Sequence, residues 1–127
     1  MDLRKLLLKD LSARLPYGVK CEIYDIDELL ELESIKFKGN YFIFGNGVYE
    51  RYITEIKPYL RPMSSMTDEE IKELLEIDQK RVIFSSRHLT WHLDGEVIDY
   101  LNKKMFDWRG LIHLGLAIDC TNMGIYD

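Results

Sequence analysis

The sequence predicts an α+β fold in a single domain, and three observations carry that prediction. Leucines recur at helical spacing near the N-terminus, the apolar period shortens to two between residues 19 and 56, and helical spacing returns after a cap signal at Thr67. The expected order is an N-terminal helix, a small four-stranded antiparallel sheet or partly open barrel, then two or three helices with one or two short strands. A β-rich part covers 19–56, an extended connector 57–66 and a mainly helical part 67–127. A chain of 127 residues can bury a core without metal or disulfide staples.

Residues 3–15 place Leu3, Leu7, Leu11 and Leu15 four apart, with Leu6 and Leu8 beside them. Charges at Arg4, Lys5, Lys9 and Asp10 fill much of the remaining helix surface, and Pro16 and Gly18 stop the helix. Alternation follows, with Cys21 and Ile23 against Lys20 and Glu22, and Leu30 and Leu32 against Glu31 and Glu33. The stretch YFIFGNGVYERYI reads as a hairpin of Tyr41–Phe44 and Val48–Ile53 around Gly45-Asn46-Gly47, residues that accept the positive φ of tight turns. Lys38-Gly39-Asn40 marks the turn before it. Residues 26–35 satisfy two templates: Leu and Glu favour helix, and the alternation favours strand.

In KPYLRP, Pro58 and Pro62 fix their own φ near −65° and push Lys57 and Arg61 toward extended conformations. A stiff crossing is expected, with Met63 and Met66 filling space beneath it. Three residues separate the prolines, so the stretch is not a PxxP ligand. Thr67-Asp68-Glu69-Glu70 fits a capping box for a helix over 68–78 with Ile71, Leu74 and Leu75 on one face. A strand at Val82–Phe84 is expected next. A helix capped by Asp94, with Val97, Ile98 and Leu101 inward, follows and ends near Lys103 and Lys104. Asp107 starts a further turn through Ile112, 114–120 reads as a short strand, and TNMGIYD as a tail.

The composition excludes several functions. The N-terminal apolar run, Leu6 to Leu8, is too short for a signal peptide or a membrane span. Cys21 and Cys120 form no CxxC; they allow a single long-range disulfide, and with no secretion signal the default reading is two buried thiols of a reducing cytosol. The net charge of −5, with no Lys/Arg block, disfavours general nucleic-acid binding.

Motifs that carry chemistry are few. His88 and His92 stand four apart with Glu96 four further on, a zinc spacing if one helix ran through all three. The HExxH order is absent, and Asp94-Gly95 argues against such a helix. Neither Ser64-Ser65 nor Cys21 sits in a nucleophile signature, so no catalytic residue is assigned. The carboxylates Glu22, Asp25, Asp27, Glu28, Glu31 and Glu33 lack the glycine and terminal Glu of a calcium loop and read as a solvated strand edge. Gly45-Asn46-Gly47 has no P-loop Lys and reads as turn chemistry. Aromatics interleave with cations in Phe106-Asp107-Trp108-Arg109 and Tyr49-Glu50-Arg51-Tyr52. Base stacking competes there with simple ring burial, which is favoured.

The blocks KPYLRPMSSMTDEE and DYLNKKMFDWRGLIHLGLAID resemble small proteins encoded in Bacteroides-type phages and prophages, with a looser fit at GVKCEIYD. They cover roughly a quarter of the chain; TNMGIYD departs from the tail of that group. The group has no assigned activity, cofactor or catalytic residues. The resemblance implies a phage-associated, cytoplasmic protein of a bacterial host.

Three functional readings follow, in order. The first is a non-enzymatic accessory protein, without cofactor, that binds another protein through Tyr59, Arg61, Trp108 and Arg109, residue types that dominate binding hot spots. The second is a nucleic-acid-binding module with Lys80, Arg81, Arg87, Lys103, Lys104 and Arg109 in one patch. The third is a metal-dependent hydrolase built on His88 and His92.

Overall fold

A computed structural model describes residues 2–36, 40–77, 83–84, 89–90 and 95–126, with only the backbone at 83–84 and 89–90. Helix α1 spans Leu3–Arg14. Asp2 caps it, Oδ1 accepting from the amides of Arg4 at 3.0 Å and Lys5 at 3.4 Å. A 3-10 turn through Pro16 ends on Gly18 at φ +77°, a conformation glycine adopts without strain. Leu7 and Leu11 face inward as their spacing requires, each burial contributing about 1.5–3 kcal/mol. Asp10 departs from the sequence reading: it is wholly buried, as is Arg14 one turn later.

Strands β1 (Lys20–Ile23) and β2 (Ile26–Glu31) form a hairpin closed by the pair Ile23↔Ile26. Asp25 turns the chain at φ +72°. The two-template stretch is therefore strand, and tertiary pairing overrides its helix-friendly Leu and Glu. β3 (Ser34–Lys36), β4 (Tyr41–Phe44) and β5 (Tyr49–Arg51) make a separate antiparallel sheet. Asn46 sits at φ +57° between two positive-φ glycines, as the turn chemistry predicts. The α+β class stands, but the strands of the β-rich part divide between two sheets that do not close into a barrel.

The largest difference lies in the expected connector. Ile56–Leu60 is a strand, β6, which occupies an inner position of a four-stranded sheet of order β2-β1-β6-β9. The proline-imposed extension is used for pairing rather than for crossing open space. Pro58 pairs with Cys21 of β1, while β9 (Ile118–Asp119) joins in parallel only from Tyr59 onward. The residue without an amide thus precedes the point where the second neighbour arrives.

Helix α2 covers Asp68–Ile77 and α3 covers Gly95–Lys103. The capping box is present: Thr67 N donates to Glu70 Oε1 at 3.0 Å and Glu70 N to Thr67 Oγ1 at 3.2 Å. Between the helices β7 (Ile83–Phe84) pairs with β8 (Leu89–Thr90). Two apolar clusters result. One joins α1 to the sheets through Leu11, Cys21, Phe42, Phe44 and Leu60; the other joins α2 and α3 through Leu74, Val97, Leu101 and Phe106. Met63 and Met66 pack on the second.

The terminal segment is more than a tail. Tyr126 donates its hydroxyl to the carbonyls of Tyr59 at 2.8 Å and Lys20 at 3.2 Å, and accepts from the Lys20 amide at 2.9 Å. No helix among the described residues is long and apolar enough to cross a membrane.

Candidate functional site: an open acidic strand edge

Three of the four sequence-selected binding residues lie in one internal polar lattice. Arg61 grips Glu70 with two bonds of 2.7 Å, and its guanidinium lies 4.2 Å from the Phe106 ring centre. The bridge Arg61↔Phe106 fixes this contact, because Arg61 N donates to the Met105 carbonyl and Asp107 N to the Arg61 carbonyl. The forked bond from Arg61 holds the Glu70 carboxyl down to about 2, against the opposing effect of burial. The same bond raises Arg61 further.

Trp108 donates Nε1–H to Asn102 Oδ1 at 2.9 Å and stacks under Arg109, 4.1 Å from the ring centre. Arg109 reaches across to Asp10 Oδ1 at 2.8 Å, and Arg14 Nε donates to the other oxygen of Asp10 at 2.9 Å. Arg14 Nη2 donates to the Phe106 carbonyl at 2.7 Å, while Nη1 is buried without a partner among the described residues. Phe106 therefore receives Arg14 on its carbonyl and Arg61 on its ring. Asp107 completes the segment, accepting from the amides of Leu111 and Ile112.

Tyr59 stands apart from this lattice. It points away from the core-facing Pro58 and Leu60 and lines a groove of about 510 Å³ with Glu22, Tyr24, Asp27, Glu28 and Leu29. Burial raises its phenol, and Glu22 and Asp27 raise it further. Glu22 faces Lys57 across the β1–β6 ladder, yet the two form no ion pair. Among the described residues, the carboxylates of Glu22, Asp25, Asp27 and Glu28 accept no hydrogen bond and meet no cation within 4 Å. Tyr24, 69% exposed, and Leu29, 46% exposed, stand among them.

Strand β2 forms the rim of this groove. It is the outermost strand of its sheet, and among the described residues it pairs with β1 alone. The acidic run was legible as a solvated strand edge for Asp27 and Glu28 of β2, whereas Glu22 lies on the inner strand β1 and Glu33 accepts from the Asn46 and Gly47 amides. The groove was not legible, because it needs Tyr59 to arrive from β6. The hairpin is held from behind: Tyr24 N donates to the Glu55 carbonyl at 2.8 Å, and Arg51 Nε to the Tyr24 carbonyl at 3.2 Å.

Other concavities lie elsewhere among the described residues. A cleft of about 530 Å³ is walled by Arg61, Glu70, Glu73, Lys103, Lys104 and the terminal turn. A shallower one of about 380 Å³ lies between Arg4 and Lys5 of α1 and Tyr52, which packs on Tyr41 at 5.1 Å.

The six cations proposed for nucleic acid do not form a demonstrated patch. Lys103 and Lys104 share the larger cleft, Arg109 is held by Asp10, and Lys80, Arg81 and Arg87 lie outside the described residues. His88 and His92 also lie outside them. Leu89 and Thr90 between the histidines form β8, so the continuous helix that the metal spacing required is not there. Cys21 and Cys120 are buried and not joined in a disulfide, and burial pushes the Cys21 thiol far above its ordinary value, away from the reactive thiolate. Set against protein-family models, curated proteins and solved structures, the chain matches none of them.

Proposed function

We propose that the protein is a non-enzymatic binding module, an accessory protein of the phage or prophage kind, whose partner-binding face is the acidic groove beside β2. The observation that carries this reading is the set of four carboxylates that, among the described residues, have no internal partner and stand beside exposed Tyr24 and Leu29 at the rim of a sheet. Charge left unpaired inside a fold is costly, whereas charge left unpaired on a rim is free to steer and select a partner. Tyr59, one of the four residues chosen from sequence, belongs to this face. Arg61, Trp108 and Arg109 hold the scaffold behind it.

Affinity capture tests the reading. The tagged protein is compared with the triple variant Glu22→Gln/Asp27→Asn/Glu28→Gln and with Trp108→Ala on the same bacterial lysate. A partner retained by the wild type and lost by the folded triple variant is the expected result. A partner held equally by both forms, or lost only with Trp108→Ala, overturns the assignment of this face.

A second reading, a small nucleic-acid-binding module, draws on a different feature. Arg4 and Lys5, without ion pairs among the described residues, flank the Tyr41–Tyr52 ring pair. Stacking rings beside free cations suit a single strand. Anisotropy with a labelled single-stranded oligonucleotide at low ionic strength decides it: binding that falls steeply with salt and with Arg4→Ala supports the reading, and no binding removes it.

A further inference from the structure

We infer that the outer edge of β2 takes an extended, cationic segment of polypeptide, which adds to the four-stranded sheet as a fifth strand. The inference rests on the binding-module reading and specifies what that face receives. Acidity alone does not carry it; the open backbone does. β2 is six residues long, the longest strand among the described residues, and it stands at the rim of its sheet. Its register against β1 shifts between the pairs Cys21↔Leu30 and Ile23↔Ile26, and on either side of that bulge its outward amides and carbonyls are open to another strand among the described residues. The opposite rim, β9, has two residues and offers no comparable template.

The charge on the rim selects among occupants. A second copy of this chain, pairing β2 to β2 antiparallel about a two-fold axis, would crowd the Asp27, Glu28 and Glu31 carboxylates of both copies along one rim. Like charges directly opposite one another destabilise a strand pair. A neutral apolar strand would cover these carboxylates without compensating them. A strand bearing Lys or Arg among apolar residues meets them with opposite charge and lies beside exposed Tyr24 and Leu29. Self-association is thus suppressed by the same groups that attract the partner. The edge is also preformed, since Tyr24 is tied to Glu55 and Arg51 from behind. Little ordering entropy remains to be lost on that side.

Three capped, fluorescein-labelled synthetic peptides test this by anisotropy: alternating Lys and Val, alternating Glu and Val, and the Lys–Val peptide with N-methyl groups on every backbone amide, which blocks both of its edges. The Lys–Val peptide is expected to bind the wild type, at least tenfold more tightly than either of the others. Its binding should weaken at least tenfold with the variant Glu22→Gln/Asp27→Asn/Glu28→Gln. Hydrogen exchange should slow at the β2 amides when the peptide is bound. Equal binding of the methylated and unmethylated Lys–Val peptides overturns strand addition in favour of charge attraction alone, and so does absence of binding at low ionic strength. Neither result touches the binding-module reading, which fails separately if the triple variant retains its partner from lysate.

Discussion

The internal lattice around Phe106 and the β1–β2 ribbon contain similar side chains in opposite circumstances. In the lattice, Asp10 and Glu70 each meet an arginine at 2.9 Å or less. In the ribbon, Glu22, Asp25, Asp27 and Glu28 meet no cation within 4 Å among the described residues. The lattice carboxylates are buried and draw partners from distant segments, with Arg109 reaching Asp10 across 99 positions of sequence. The ribbon carboxylates stay in water. The same residue type thus fixes the scaffold in one place and remains available for recognition in the other, and burial decides which.

Removing Asp10 should break this comparison most severely. Asp10→Ala leaves a completely buried Arg14 and a nearly buried Arg109 without their carboxylate. Breaking such a pair from one side costs about 3–5 kcal/mol, because the remaining charge stays uncompensated. Urea denaturation measures it. A loss below about 1 kcal/mol would mean that the lattice does not hold the scaffold.

Arg61→Ala comes next. It removes a forked ion pair and a ring contact from a partly buried site, and a loss of about 2 kcal/mol is expected. The pH dependence identifies the cause. The Glu70 carboxyl sits near 2 in the fold against an ordinary value of 4.5, so the folded protein binds its proton less readily than the unfolded chain. The resulting stabilisation is fully present above about pH 4.5 and is lost as pH falls from there toward about 2. Denaturation midpoints at pH 6, 4 and 3 should drop more steeply for the wild type than for Glu70→Gln. Parallel slopes would exclude the ion pair as the cause.

Thr67→Ala is smaller. It deletes one half of the capping box, while the Thr67 amide keeps its bond to Glu70. A loss of about 1 kcal/mol is expected in the same assay.

What the sequence reveals follows the same division between local and distant partners. The α1 leucines, the Gly-Asn-Gly hairpin and the Thr67 box depend on neighbours within a few residues, and each was legible. Pro58 was misleading: its restriction to extended backbone was clear, but membership of a sheet depends on β1, paired 37 residues earlier at Cys21, and on β9, paired with Tyr59 across 59 residues. Arg61, Trp108 and Arg109 were picked out for their type, and type does not say whether an internal acceptor exists. The spacing of Asp10 and Arg14 at i, i+4 was an available signal, since such a pair shares one helix face. Only the arrival of residues 106–109 turns that face inward.

The smallest stability effect belongs to the ribbon, and it tests the comparison most directly. Glu22→Gln, Asp27→Asn and Glu28→Gln remove three carboxylates that hold no partner among the described residues. Stability should stay within about 0.5 kcal/mol of the wild type, as for surface substitutions away from special features. Any change should be a slight gain, because neighbouring negative charges repel. It should fade with added salt, which screens exposed charges beyond about 8 Å at physiological ionic strength. A loss of 1 kcal/mol or more would show that these carboxylates hold the fold. The ribbon would then belong with the lattice as scaffold. An unchanged midpoint together with a lost partner would separate the two regions cleanly, one set of acids for folding and the other for recognition.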